Sequence, residues 1–124
     1  MPKVILIEDD ATMLSLLTTL LRLEGFEVGN LEVGEDTDII AGVRRELPDV
    51  LLMDVHLAGD RNGVDVLREM RAQDDLKDLA IIMSSGMPLE EACMQAGASR
   101  FLLKPYMPDS LIDAIRRSIP DAPP

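Results

Sequence analysis

The chain has 124 residues, with 12 basic against 23 acidic side chains and a net charge of −11. That is the length of one domain, long enough to bury a core without disulfides or structural metal. The charge repels nucleic acid and anionic lipid surfaces; the pairs Arg44-Arg45 and Arg116-Arg117 stand apart among acids, so neither direct nucleic-acid binding nor membrane binding is expected.

A lone cysteine, Cys93, rules out an intrachain disulfide and suits a reducing, cytoplasmic setting; on an inward-facing helix it reads as a small core hydrophobe. Met1-Pro2-Lys3 runs into a short apolar segment with no signal-peptide core, and no apolar stretch is long enough to span a bilayer.

In chain order, Val4–Ile7 reads as a buried strand. Met13–Glu24 follows as a helix with Met13, Leu16, Leu17, Leu20 and Leu21 on one face and Gly25 at its C-terminal stop. A weaker strand around Phe26–Leu31 precedes a helix striped by Ile39, Ile40 and Val43, which Pro48 ends. Val50–Met53 is the third strand, and Val64, Leu67 and Met70 mark the third helix. Ala80–Met83 is the fourth strand, and Leu89–Ala96, closed by Gly97, a short fourth helix. Phe101–Leu103 and a helix carrying Leu111, Ile112, Ile115 and Ile119 complete five strands alternating with five helices.

This alternation predicts an α/β fold, a doubly wound five-stranded parallel sheet with helices on two faces. Residues 1–119 form the domain, and Pro120-Asp121-Ala122-Pro123-Pro124 reads as a disordered tail or the first residues of a linker.

Ligands of open parallel sheets bind beyond the carboxyl ends of the strands. There the chain places Glu8, Asp9 and Asp10, then Asp54, then Ser84, Ser85 and Gly86, then Lys104 and Pro105. Clustered carboxylates repel and must protonate or recruit a cation, and an oxygen-only donor set favours a hard ion such as Mg²⁺. A carboxylate beside Mg²⁺ can attack phosphorus, with a lysine holding a phosphoryl oxygen and a hydroxyl donating to it.

The runs Ile5-Leu6-Ile7-Glu8-Asp9-Asp10, Leu51-Leu52-Met53-Asp54, Met83-Ser84-Ser85-Gly86, Gly97-Ala98-Ser99-Arg100-Phe101 and Leu103-Lys104-Pro105-Tyr106 resemble the receiver domain of bacterial two-component response regulators, over roughly Pro2 to Ile119. The resemblance implies a flavodoxin-like sheet of order 2-1-3-4-5. It implies Asp54 as phosphoacceptor, and Mg²⁺ held by Glu8, Asp9, Asp54 and the backbone carbonyl of His56. Ser85 and Lys104 would bind the phosphoryl group, Phe101 would be the rotating aromatic switch, and His56 and Met87 would tune the lifetime. Lys104-Pro105 would be a cis peptide.

The expected function is a phosphorylation-gated signalling switch with slow self-dephosphorylation, not a turnover enzyme. Its donor would be a phosphohistidine on a sensor histidine kinase or phosphotransfer protein. The chain departs from the family's commonest pattern in three places: Glu8 replaces an aspartate, Leu57–Asn62 is one residue longer, and Gly86–Ala96 is short. Gly86–Ala96 is expected to be the mobile element. The partner surface expected is the fourth helix, the Phe101 strand and the fifth helix, a candidate homodimer face.

Three rivals fit less well. A docking-only module needs none of Glu8, Asp9, Asp54, Ser85 and Lys104. An aspartate-nucleophile phosphatase usually wants an acid two residues after its nucleophile, where this chain has His56. A flavodoxin-like or nucleotide-binding carrier needs a Gly- or Ser/Thr-rich phosphate loop after the first strand, where Glu8-Asp9-Asp10 has the wrong charge. His56 read alone is a solvated side chain, since Mg²⁺ prefers oxygen.

Overall fold

A computed structural model describes residues 1–119. Five strands, β1 (Lys3–Ile7), β2 (Glu27–Asn30), β3 (Val50–Asp54), β4 (Ala80–Ser85) and β5 (Arg100–Leu103), alternate with the helices α1 (Ala11–Leu23), α2 (Ile39–Glu46), α3 (Gly63–Arg71), α4 (Glu90–Gln95) and α5 (Pro108–Ser118). All pairings are parallel and the strand order is β2-β1-β3-β4-β5, as expected.

Alternate residues of each strand face opposite sides of the sheet. Ile5, Ile7, Leu51, Met53, Ile81 and Met83 pack with Ile39, Val43, Leu67, Met70 and Cys93, under α2, α3 and α4. Val4, Leu6, Val50, Leu52 and Ile82 pack with Leu17, Leu21, Leu111, Ile112 and Ile115, under α1 and α5. This double-sided burial explains the near-continuous apolar strands. Cys93 is fully buried, as a core hydrophobe should be.

Several boundaries differ from the expectation. Asp54 and Ser84-Ser85 lie inside strands rather than after them, because the backbone ladder pairs Asp54 with Ser84 and Ser85 with Leu103 beyond the apolar runs. The second strand is shorter: the Phe26 N–H bonds the Leu21 carbonyl of the preceding helix turn instead of the ladder. Leu16, assigned to the apolar face of α1, is half exposed. The buried stripe centres on Leu17 and Leu21, one helical turn apart, and Leu16 is rotated about 100° away from it. The tail expected at 120–124 lies outside the described residues. Among the described residues no helix is long and apolar enough to cross a membrane.

Candidate functional site

The site lies where β1, β3, β4 and β5 end. Of the three acids after β1, Asp10 caps α1: its side chain accepts from the backbone N–H groups of Thr12 at 3.0 Å and Met13 at 3.1 Å. That leaves Glu8 and Asp9 to face Asp54. One carboxylate oxygen from each of the three lies within 4.8 Å of the others. Between them, and lined also by His56, Leu57, Leu31 and Val33, is a cavity of ≈ 20 Å³, about the room of one water-sized body.

Lys104 directly follows β5 and is joined to Pro105 by a cis peptide. Its ammonium donates to Asp54 Oδ2 at 2.9 Å and to Glu8 Oε2 at 3.0 Å. Burial works to lower the Lys104 pKa, but the hydrogen bonds and charges of Asp54 and Glu8 outweigh it and hold it above the ordinary value. Glu8 is pushed up, first by burial and then by the Asp54 charge, against the Lys104 hydrogen bond.

Three carboxylates against one ammonium leave an excess of two negative charges. A hard divalent cation matches both that charge and the oxygen-only donors, so the residues present fit Mg²⁺.

The other Asp54 oxygen is occupied as well. The hydroxyl of Ser84, a neighbour in the β3–β4 ladder, donates to Asp54 Oδ1 at 3.1 Å. The expected phosphoryl-binding hydroxyl, Ser85, makes a different bond here: its Oγ accepts from the Met87 backbone N–H at 3.0 Å. Both serines are buried, whereas the Met87 side chain is half exposed on the loop that follows. Phe101 pairs in register with Met83 and packs partly against the core under α2, α3 and α4. It also lines a groove of ≈ 380 Å³ with Glu90 and Met94 of α4 and Asp113 and Arg117 of α5.

The structure therefore gathers Glu8, Asp9, Asp54, His56 and Lys104 around one point, with Ser85 in the adjoining strand and Phe101 at the groove. Two residues had no role in the sequence reading. Ser84 is placed by strand register, which the sequence does not display. Gly63 is required by contact: a Cβ there would collide with the Asp54 carbonyl oxygen and lie 3.0 Å from Val55 Cα. The signal for it was present, a glycine directly after Asn62, whose side chain caps α3 through the Val64 N–H at 2.8 Å.

Residues 4–116 match the family described as response regulator receiver domain. The DNA-binding response regulator MtrA of Mycobacterium tuberculosis is 30% identical over 114 residues, which are 92% of this chain and 49% of MtrA. The C4-dicarboxylate transport transcriptional regulatory protein DctD of Pseudomonas aeruginosa is 32% identical over 120 residues, 94% of this chain and 25% of DctD. The chain thus spans half or less of these relatives. Among solved structures, the receiver domain of a sensor histidine kinase of Pseudomonas aeruginosa superposes with a TM-score of 0.80 at 27% identity, covering 97% of this chain and 98% of that one. That structure has a magnesium ion coordinated in its active site cleft. A response regulator receiver domain protein from Clostridium thermocellum gives a TM-score of 0.81 at 26% identity, covering 97% and 95%.

Proposed function

The chain belongs to the response regulator receiver domain family, and from that premise we propose that it is switched by a phosphoryl group accepted on Asp54. The observation that carries this reading is the Lys104 ammonium bridging Asp54 and Glu8 beside a cluster of three carboxylates.

Glu8, Asp9, Asp54 and the His56 carbonyl would hold Mg²⁺, which when bound supplies charge neutralisation for the incoming phosphoryl group. A carboxylate oxygen of Asp54 attacks phosphorus as the phosphohistidine P–N bond breaks, and the electron pair leaves on the donor's imidazole. Lys104 transfers from the carboxylate to a phosphoryl oxygen. The donor is a sensor histidine kinase or phosphotransfer protein. Water later hydrolyses the acyl phosphate slowly, with His56 and Met87 controlling its access, so the domain is a switch and not a turnover enzyme.

Readout follows from the bond that Ser85 accepts from the Met87 N–H. If its hydroxyl turns to the phosphoryl group, the Met87 N–H loses its partner and the segment leading to α4 is released. Phe101 then rotates inward and remodels the α4–β5–α5 groove, the surface for a partner or a second copy. With a net charge of −11, this segment makes no direct contact with nucleic acid. A cytoplasmic setting accords with a kinase as donor.

The test is incubation with acetyl phosphate and Mg²⁺ followed by mass spectrometry. One base-labile phosphoryl group is expected, and Asp54→Asn should lose it. Equal labelling of that variant overturns the assignment.

A further inference from the structure

We propose that Ser84 is a positioning residue for the acceptor carboxylate: its hydroxyl selects the oxygen that reacts and shortens the life of the acyl phosphate. This rests on Asp54 being the acceptor.

The two Asp54 oxygens are held by donors of different mobility. Oδ1 accepts from Ser84, which is 1% exposed and fixed by parallel register to the acceptor's own strand. Oδ2 accepts from the end of the Lys104 side chain, which is 22% exposed and also shared with Glu8. An arriving phosphoryl group can draw the Lys104 ammonium onto its own oxygens, whereas Ser84, held by register beside Asp54 and already donating to Oδ1, keeps the acceptor it has. Oδ2 is therefore the oxygen set free to attack. The Oδ2–P bond forms, the donor's bond to phosphorus breaks, and Oδ1 remains as the acyl carbonyl, still accepting from Ser84.

Hydrolysis reverses the charge. A water oxygen bonds to phosphorus, the P–Oδ2 bond breaks, and the electron pair returns to Asp54, spreading onto Oδ1. The water's protons leave with phosphate and solvent. A hydroxyl donates more strongly to a carboxylate than to a neutral acyl carbonyl. Ser84 thus favours the departing carboxylate over the acyl phosphate, as a preorganised donor aimed at developing charge does.

The experiment compares the wild-type domain with Ser84→Ala and Ser84→Thr after labelling by acetyl phosphate and Mg²⁺. Following donor removal, Ser84→Ala should lose its phosphoryl group about fivefold more slowly, at about 1.36 kcal/mol per factor of ten. Ser84→Thr should decay as wild type does. The infrared band of the acyl phosphate carbonyl should move to higher frequency in Ser84→Ala and return in Ser84→Thr, which a packing defect would not produce. Decay of Ser84→Ala as fast as wild type, an unmoved carbonyl band, or Ser84→Thr behaving like Ser84→Ala each overturns the proposal while leaving Asp54 as acceptor. If Asp54→Asn is labelled like wild type, the acceptor reading falls and this proposal falls with it.

Discussion

The Lys104 ammonium sits 2.9 Å from Asp54 Oδ2, joining the ends of two strands whose residues are 50 positions apart in the chain. It is the counter-charge of the acidic cluster. Replacing it with alanine leaves Glu8 and Asp54 facing each other without compensation. Lys104→Ala should lose about 1–3 kcal/mol of stability in metal-free buffer. Mg²⁺ should restore most of the loss, because it supplies the missing charge. Urea unfolding with and without Mg²⁺ checks both parts.

Asp9 is exposed, and it contributes to the acidic cluster without the Lys104 contact that Glu8 and Asp54 share. Asp9→Asn should weaken Mg²⁺ binding at least tenfold while leaving the metal-free domain as stable as before or more so, since one repelling charge is gone. Calorimetric Mg²⁺ titration with matched denaturation curves measures the pair. Unchanged Mg²⁺ binding would remove Asp9 from the ligand set.

Gly63 opens α3 against the backbone of the strand that carries Asp54, its N–H bonding the Val55 carbonyl at 2.6 Å. A methyl group there meets backbone on both sides, which cannot rotate away. Gly63→Ala should cost about 1–3 kcal/mol and displace Asp54, so labelling by acetyl phosphate should slow along with the fall in denaturant midpoint.

Tyr106 is the single tyrosine of a chain without tryptophan, so its titration can be followed alone. Burial pushes its pKa up to about 12; the Lys104 charge opposes this, and Glu8 and Asp54 add to it. A raised folded-state value means that the contribution to stability is whole below the unfolded value of about 10. It is lost as pH rises from there through 12. Ultraviolet titration should show phenolate appearing near 12, with unfolding free energy falling from about pH 10 upward. An ordinary tyrosine midpoint in the folded domain would contradict this burial.

Helix α4 has six residues and no side-chain hydrogen bond capping its N-terminus. A helix so short depends on packing, and here only Cys93 is fully buried. Backbone amides across 86–96 should exchange faster than those of the other helices, and beryllofluoride should change their protection. Changes confined to α1 would refute the proposed readout.

The alternation of apolar periods, with caps and stops at Gly25, Pro48 and Gly97, was enough to determine the fold class, because local propensity and burial pattern agree along the whole chain. The strand-end rule likewise placed Glu8, Asp9, Asp54 and Lys104 at one edge of the sheet. What the tertiary structure alone decided is how the oxygens are shared out. Lys104 went to both Glu8 and Asp54, and Ser84 to the second Asp54 oxygen. Those outcomes depend on register between strands 30 or more residues apart and on angstrom-scale distances between side chains. A one-dimensional pattern of apolar and polar residues carries neither, since strand periodicity tells which face a residue takes but not which neighbour it meets.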